Sequence, residues 1–143
     1  MTTTYVDSNI WIYFFDSETP EHGVVLDNTR RILQTDELVI NTVTVIEVAH
    51  YLSRRLDGVE LRTRMSAMLD LIGMEVTGFD EALLRESIEI LSEYAASSNL
   101  SGRDAVVLAT MKTYGVDRLV TQDKTLKGVA SSLEFLVVDP VKD

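Results

Sequence analysis

The stretch "LSGRDAVVLATMKTYGVDRLVTQD", residues 100–123, contains the signals of a helix followed by those of a strand. Ser101 and Asp104 stand at the spacing of a capping box, and the apolar run after Asp104 predicts a buried helix. Gly115 comes directly after this helix, at the position where a left-handed residue ends many helices. The short apolar segment "RLVTQD" then predicts a strand. Residues 100–123 therefore have the helix-then-strand order of an α/β domain.

The same alternation continues on either side of this stretch. Four more short apolar segments predict strands: "TTYVD" at 3–7, "ELVIN" at 37–41, "MEVTGF" at 74–79 and "LEFLVVD" at 133–139. Capping residues and helical spacing predict that helices begin at Ser8, near residue 24, at Thr44, at Val59 and after Asp80, and that Asp57 with Gly58 ends the third. We expect a three-layer α/β/α fold with a mainly parallel central sheet.

Length and composition exclude several classes of protein. The 143 residues fit a single domain, residues 1–143. The absence of cysteine excludes disulfides, thiolate metal sites and cysteine nucleophiles. A net charge of −10 argues against broad binding to polyanions, because phosphate contacts need Lys and Arg. No segment is apolar enough to span a bilayer and the N-terminus has no basic leader, so we expect a cytoplasmic protein without a membrane partner.

Four acids lie where the predicted sheet has its carboxyl edge. Asp7 ends the first strand, Asp123 follows the strand after Gly115, and Glu47 and Asp104 lie in the first turns of adjoining helices. In an open parallel sheet this edge forms the crevice where ligands bind. Each acid also has a structural explanation, as a helix cap, the start of a turn, or the fourth residue of the capping boxes "TVIE" and "SGRD".

A bound cation explains the four acids together better than four separate caps do. Carboxylates that face one crevice repel one another, which raises their pKa values unless a cation is present. Oxygen ligands without cysteine suit Mg²⁺ or Mn²⁺. One such ion, or two about 4 Å apart, can activate water for attack on a phosphodiester. The residues therefore indicate hydrolysis of a nucleic acid. The sequence contains no glycine-rich phosphate loop, so it does not have the motif of a nucleotide-binding protein.

Three segments together resemble the motifs of PIN-domain ribonucleases, especially the VapC-type toxins of toxin–antitoxin pairs: "YVDSNIWIYFF", "NTVTVIEVAHYL" and "LSGRDAVVLATMKTYGVDRLVTQDKTL". The resemblance lies in D-S-N after the first strand, T-x-x-E-V, D-A at the start of an apolar helix, and T-x-D after the next strand. The sequence departs from the family at Leu126, where an aromatic residue is frequent.

The resemblance implies a PIN-like fold and an endoribonuclease that depends on Mg²⁺ or Mn²⁺. The catalytic and metal-binding residues that it implies are Asp7, Glu47, Asp104 and Asp123, and the supporting polar residues are Asn9 and Thr121. It also implies a homodimer, an RNA substrate and a small antitoxin protein whose tail covers the active-site groove.

Arginines, histidines and aromatic residues complete the set of candidates. Arg54 and Arg55 are candidates for contacts to RNA phosphates, or alternatively part of a solvated helix face, and Arg103, beside Asp104, is a further candidate for phosphate contact. We expect His50 to have a structural or surface role and to face away from the acid three residues before it. We expect the aromatic run at residues 11–15 in the core or at a dimer face rather than stacked on bases.

Two other functions are compatible with the residues. One is a housekeeping RNA-processing or DNA-repair nuclease, although such relatives usually carry zinc-binding segments, and this chain has no cysteine. The other is a non-catalytic module whose acids bind a cation for structure or signalling. A response-regulator-like module of this kind requires an acid pair after the first strand, and "YVDSN" contains a single acid.

Overall fold

In the computed structural model, which describes residues 2–142, strands and helices alternate along the chain. The strands are β1 Thr3–Val6, β2 Glu37–Asn41, β3 Met74–Thr77, β4 Arg118–Val120 and β5 Leu136–Val138. The helices are α1 Ser8–Phe15, α2 His22–Thr35, α3 Thr42–Ser53, α4 Gly58–Leu69, α5 Glu81–Ser98, α6 Gly102–Tyr114 and α7 Lys124–Ser132. Each predicted strand is present, and the α/β class is confirmed. None of the helices within residues 2–142 is long and apolar enough to cross a membrane.

The strands form one parallel sheet in the order β3-β2-β1-β4-β5. β1 lies in the centre, where Thr4 pairs with Leu38 of β2 and Val6 pairs with Val120 of β4. From β1 the chain moves outward to β2 and β3 in one direction, and later from β4 to β5 in the other. Because right-handed crossovers in opposite directions place their helices on opposite faces, helices cover both faces of the sheet. This is the predicted three-layer α/β/α arrangement.

Helix α6 is buried along most of its length. All residues from Ala105 to Met111 are buried, which explains the continuous apolar run in the sequence. Its ends confirm the predicted signals, since the Ser101 hydroxyl accepts the N–H of Asp104 at 3.1 Å and Gly115 has φ +65°. Because α6 leads through a tight turn into β4, it runs opposite to the strands. Its first turn therefore lies at their carboxyl edge.

Two predicted helix boundaries are wrong. Helix α3 begins at Thr42 rather than Thr44, because the side chain of Asn41 accepts a backbone N–H at 2.9 Å and caps the helix. Thr44 lies buried inside the helix, with its hydroxyl 2.6 Å from that of Tyr5. Asp57 caps α4 instead of ending α3. Several polar residues near each boundary are able to cap, and tertiary contacts select among them.

Helix α7 is absent from the sequence prediction, in which the structural role of Asp123 is the start of a turn and not a helix cap. The Oδ1 atom of Asp123 accepts the N–H of Leu126 at 2.8 Å and caps the helix. The segment contains a glycine and a serine pair, which weaken its helical pattern. Burial of Leu126 and Val129 stabilises it instead. Leu126, where the sequence departs from the PIN pattern, is completely buried and therefore has a packing role.

The aromatic run of α1 packs into the core, one of the two places expected. Trp11 is 1% exposed, and its indole N–H donates to the carbonyl oxygen of Val6 at 3.0 Å. The rings of Phe14 and Phe15 pack against the indole with centroids 5.9 and 6.1 Å away. These contacts anchor α1 against the end of β1 and so fix the position of Asp7 between them.

Candidate active site

The candidate site lies at the carboxyl edge of the sheet, where β1 and β4 are neighbours. The chain leaves β1 toward β2 and leaves β4 toward β5, so a crevice opens between the two exits. A cavity of about 420 Å³ lies there. It is lined by all four predicted acids, Asp7, Glu47, Asp104 and Asp123, together with Ser8, Asn9, Asn99, Ser101, Arg103, Val107 and Thr125.

Asp7 is the most deeply buried of the four acids, with 6% of the residue exposed. Its Oδ1 atom accepts the N–H of Ser8 and caps α1, and its Oδ2 atom accepts the Thr121 hydroxyl, both at 2.8 Å. Burial raises the pKa of Asp7 to about 6; the two hydrogen bonds oppose this change, and the charges of Asp104 and Glu47 add to it. The carboxyl group is thus fixed in position but poorly stabilised as an anion.

Thr121 and Asn9 connect the ends of β1 and β4 beneath the acids. The completely buried Thr121 hydroxyl donates to Asp7 and accepts from the side-chain amide of Asn9 at 3.4 Å and from the N–H of Asp123 at 3.1 Å. One donor and two acceptor positions are the full capacity of a hydroxyl group. Of the two predicted supporting residues, Thr121 bonds two of the acids directly and so ties their positions to each other, whereas Asn9 contacts Thr121 and reaches the acids only through it.

Glu47 lies in the second turn of α3, since the helix begins at Thr42. The capping-box explanation of this residue is therefore wrong. Its Oε2 atom accepts from the guanidinium of Arg103 at 2.9 Å. Burial raises the pKa of Glu47, the charge of Arg103 opposes this, and the charge of Asp104 adds to it. Glu47 thus enters the cavity as a partly buried carboxylate whose present partner is an arginine.

Asp104 is both part of a cap and part of the cavity. Its backbone N–H completes the cap made by the Ser101 hydroxyl, while its half-buried carboxylate lines the cavity. Burial raises the pKa of Asp104 and the charge of Asp123 adds to this, whereas Ser101 and Arg103 favour the charged form. The capping role and the candidate chemical role are therefore compatible in one residue.

Helix N-termini surround the cluster. The residues that cap α1, α6 and α7 are Asp7, Ser101 and Asp123, and all three line the cavity. The N-terminal end of a helix carries a partial positive charge that stabilises nearby anions. These helix ends offset part of the repulsion among the carboxylates.

The donor set fits a hard divalent cation by its chemistry. Four carboxylates face one crevice, and burial together with mutual repulsion raises the pKa of three of them. A bound dication would reverse that unfavourable charge. As the side chains now stand, no group of three or more His, Cys, Asp and Glu residues within residues 2–142 has a geometry that could hold a metal ion. Coordination through Oε2 of Glu47 requires its ion pair with Arg103 to open.

A second cavity, of about 770 Å³ and more apolar, adjoins the first and shares Ser8, Glu47 and Arg103 with it. We call it the arginine groove. Its other lining residues are Ile12, Ile46, His50, Tyr51, Arg54 and Arg55. The expectation that His50 faces away from Glu47 is wrong, because residues three apart on a helix share a face.

The three candidate arginines all line this groove but have different partners. Arg55 is 3.2 Å from a carboxylate oxygen of Asp16 and stacks 3.8 Å above the ring of Tyr51. Arg54 donates to the ring of His50 at 3.3 Å and makes no ion pair with the rest of the described chain. Arg103 pairs with an acid of the cluster. Only Arg54 thus has no carboxylate to leave before it can bind another anion.

Two polar residues of the cavity were missed by the sequence analysis. Asn99 ends α5 with φ +56°, and this left-handed conformation brings the residue to the cavity wall. A signal was available, because asparagine is the residue other than glycine that most readily adopts this conformation at a helix end. Thr125 was missed together with α7, the helix that carries it.

A family model described as PIN domain matches residues 4–131 of the chain. No curated protein matches the sequence. The match spans both halves of the sheet and all four acids of the cavity, so it concerns the same part of the molecule as the geometry above.

Solved structures share the fold over nearly their whole length. VapC20 of Mycobacterium tuberculosis, a sarcin–ricin loop cleaving toxin, is 18% identical with a TM-score of 0.72, covering 88% of this chain and 94% of that one. A toxin–antitoxin complex from Klebsiella pneumoniae is 25% identical with a TM-score of 0.65, covering 96% and 97%. VapBC2 of Rickettsia felis, bound to a promoter DNA fragment, is 13% identical with a TM-score of 0.72, covering 96% and 98%.

Proposed function

The chain belongs to the PIN-domain family, and on this premise we propose that it is a divalent-metal-dependent endoribonuclease and the toxin of a type II toxin–antitoxin pair. The observation that carries this proposal is the convergence of Asp7, Glu47, Asp104 and Asp123 on one cavity at the carboxyl edge of the sheet. Helix capping does not require four carboxylates to face one another, and Glu47 caps no helix.

The four acids would hold Mg²⁺ or Mn²⁺, and when bound the ion would supply an activated water for attack on an RNA phosphodiester. Thr121 would keep Asp7 in place, because its hydroxyl donates to Oδ2 while the Ser8 N–H donates to Oδ1, and each oxygen keeps a second lone pair that can bind a cation. Asn9 would keep that hydroxyl oriented by occupying one of its acceptor positions. The chain thus contributes a rigid set of carboxylate oxygen atoms whose mutual repulsion a bound cation would relieve.

The substrate would be RNA whose strand is accessible, as in a loop or a single-stranded segment. The arginine groove leads away from the acid cavity and provides three cations for backbone phosphates, Arg54, Arg55 and Arg103. An acidic protein that carries its cations next to the site binds RNA locally and not over its whole surface. The stack of Arg55 on Tyr51 stiffens one side of this path.

The remaining parts of the proposal concern the assembly. We expect one domain that acts in the cytoplasm as a homodimer, inhibited by a small antitoxin protein. Support for the antitoxin comes from solved structures of the same fold that are toxin–antitoxin complexes, one of them 25% identical. A short segment of that partner would cover the acid cavity and compete with RNA for it.

The test is cleavage of total RNA by the purified protein with Mg²⁺ or Mn²⁺ and with EDTA. Asp7→Asn and Asp104→Asn remove one carboxylate each, while Asp57→Asn is the matched control, because Asp57 also caps a helix but lies outside the cavity. We expect metal-dependent cutting by the wild type and the control, and none by the two site variants. In cells, induction of the wild type should stop growth and induction of Asp104→Asn should not.

Metal-independent cleavage, or cleavage by both site variants at the wild-type rate, would refute the proposed chemistry. A protein that binds the metal ion but cuts no RNA under any condition would instead be the non-catalytic cation-binding module. Circular dichroism of each variant separates loss of activity from loss of fold.

A further inference from the structure

Arg103 is placed between the two cavities and contacts an acid of the proposed metal site. It lines both the acid cavity and the arginine groove. Its Nη1 atom donates to Oε2 of Glu47 at 2.9 Å, a contact that joins the first turn of α6 to the second turn of α3. The Arg103 side chain is 68% exposed, whereas that of Glu47 is 21% exposed. The arginine can therefore leave easily, while the glutamate stays at the cavity.

A guanidinium group and a divalent cation compete for the same carboxylate. The Oε2 atom that Arg103 occupies is one of the two Glu47 oxygens that a hard cation would use, and the positive guanidinium beside it also weakens the attraction of the carboxylate for a second cation. A backbone phosphate is an anion whose geometry suits the guanidinium fork as well as a carboxylate does, so it can take the exposed Arg103 side chain over from Glu47. The position of Arg103 at the join of the two cavities lets it reach an anion in the groove.

We propose that Arg103 is an exchangeable counter-ion of Glu47, which holds this carboxylate until an RNA phosphate takes over the guanidinium group and frees Glu47 for the divalent cation. The inference rests on the proposed function and extends it, because it predicts that RNA and metal bind cooperatively. Arg103 would be a positioning residue that acts through Glu47. By linkage, RNA tightens metal binding by the same factor by which metal tightens RNA binding.

The neighbouring arginines are not equivalent to Arg103 in this respect. Arg55 is engaged by Asp16 and by the ring of Tyr51, outside the acid cluster. Arg54 contacts His50 and, within residues 2–142, forms no ion pair. Only Arg103, among the arginines of the groove, pairs with one of the four acids. This makes Arg54 a matched control, since it carries the same charge and lines the same groove.

The experiment measures the affinity for Mn²⁺ by electron paramagnetic resonance of the free ion. The proteins are the wild type, Arg103→Gln, Arg103→Lys and Arg54→Gln, each with and without a short single-stranded 2′-O-methyl RNA that a gel shows to remain uncut. Without the oligonucleotide, Arg103→Gln should bind Mn²⁺ about threefold more tightly than the wild type, which is within the range of a partly exposed ion pair. Arg103→Lys, which keeps the charge, and Arg54→Gln should both bind as the wild type does.

The oligonucleotide should tighten Mn²⁺ binding to the wild type by a further factor that Arg103→Gln has largely lost. If Arg103→Gln binds Mn²⁺ no more tightly than the wild type, or if Arg54→Gln tightens binding equally, the exchange is refuted and Arg103 contributes only a general positive field. A wild type that cuts RNA with Mn²⁺ while showing either result would refute this inference alone. A wild type that binds no Mn²⁺ would refute the proposed function itself.

Discussion

Replacing Asp7 with asparagine should stabilise the folded protein at neutral pH, although it removes a residue of the candidate site. The side-chain oxygen of asparagine can still accept the N–H of Ser8, so the cap of α1 is kept. The amide has no charge, so the variant is relieved of the penalty that burial and the neighbouring acids impose on the carboxylate. The Thr121 hydroxyl already accepts from Asn9 and from the N–H of Asp123, so it must give up one of these contacts to accept from the new amide, which costs part of the gain.

The magnitude of this effect follows from the pKa of Asp7, which burial raises from 3.8 to about 6. The folded state therefore holds the proton more tightly than the unfolded state does, and the wild type loses stability as the pH rises through this range. At about 1.36 kcal/mol per pH unit, the penalty is about 1 kcal/mol near pH 4.5 and about 3 kcal/mol near pH 7.5. The stability difference between variant and wild type should thus grow by about 2 kcal/mol between these two pH values.

The assay is urea unfolding followed by circular dichroism near both pH values, in EDTA so that no metal ion contributes. The pH-dependent difference is independent of the hydrogen bond lost at Thr121, because that loss is the same at both pH values. Asp57→Asn is the control, since it changes an exposed cap of α4 in the same way. A stability difference for Asp7→Asn that does not change with pH, or that shrinks as the pH rises, would refute the reasoning that Asp7 is an unfavourable buried anion.

Three further predictions test the contacts that hold the site. Thr121→Val leaves Oδ2 of Asp7 without its donor and should lower the free energy of unfolding by about 1–3 kcal/mol in urea titrations, whereas Thr121→Ser should behave as the wild type does. Ser101→Ala removes the cap of α6 and should lower it by about 1 kcal/mol. Asp104→Asn removes a carboxylate whose charged form burial and Asp123 disfavour, so it should not lower the melting temperature; a marked drop would contradict the assignment of the cap to Ser101. Gly115→Ala should cost about 1 kcal/mol in thermal unfolding, purely from its φ of +65°, because no atom lies within 4 Å of the added Cβ; a neutral effect would show that the turn adapts.

Much of the fold could be predicted because its signals are local. The strands are short apolar segments, and the caps at Ser101 and Asp80 and the stop at Gly115 are single-residue signals that act within one turn of a helix. The resemblance to PIN domains is confirmed by the family match over residues 4–131. Predictions failed where local signals compete, as at Asn41 and Thr44, or where the helical pattern is weak, as in α7.

The site could be predicted only as a set of residue types at one edge of a sheet. The roles of Asp7, Glu47, Asp104 and Asp123 in catalysis and metal binding stay predictions, although the structure brings all four to one cavity. The resemblance implies Thr121 and Asn9 as supporting residues, but which side chain contacts which acid could not be predicted, because Arg103 is 56 residues from Glu47 and Thr121 is 114 residues from Asp7 in the chain.

The sequence by itself determined the five strands, all the helices except α7, and the nearness of the acids to the ends of these elements, because apolar periodicity and capping act between residues close in the chain. Tertiary structure alone decided the strand order that makes β1 and β4 neighbours, and with it which acid faces which partner. That order depends on how helices pack on the two faces of the sheet, a property of contacts between distant segments. The raised pKa of Asp7 and the ion pair between Glu47 and Arg103 arise only when those segments pack together.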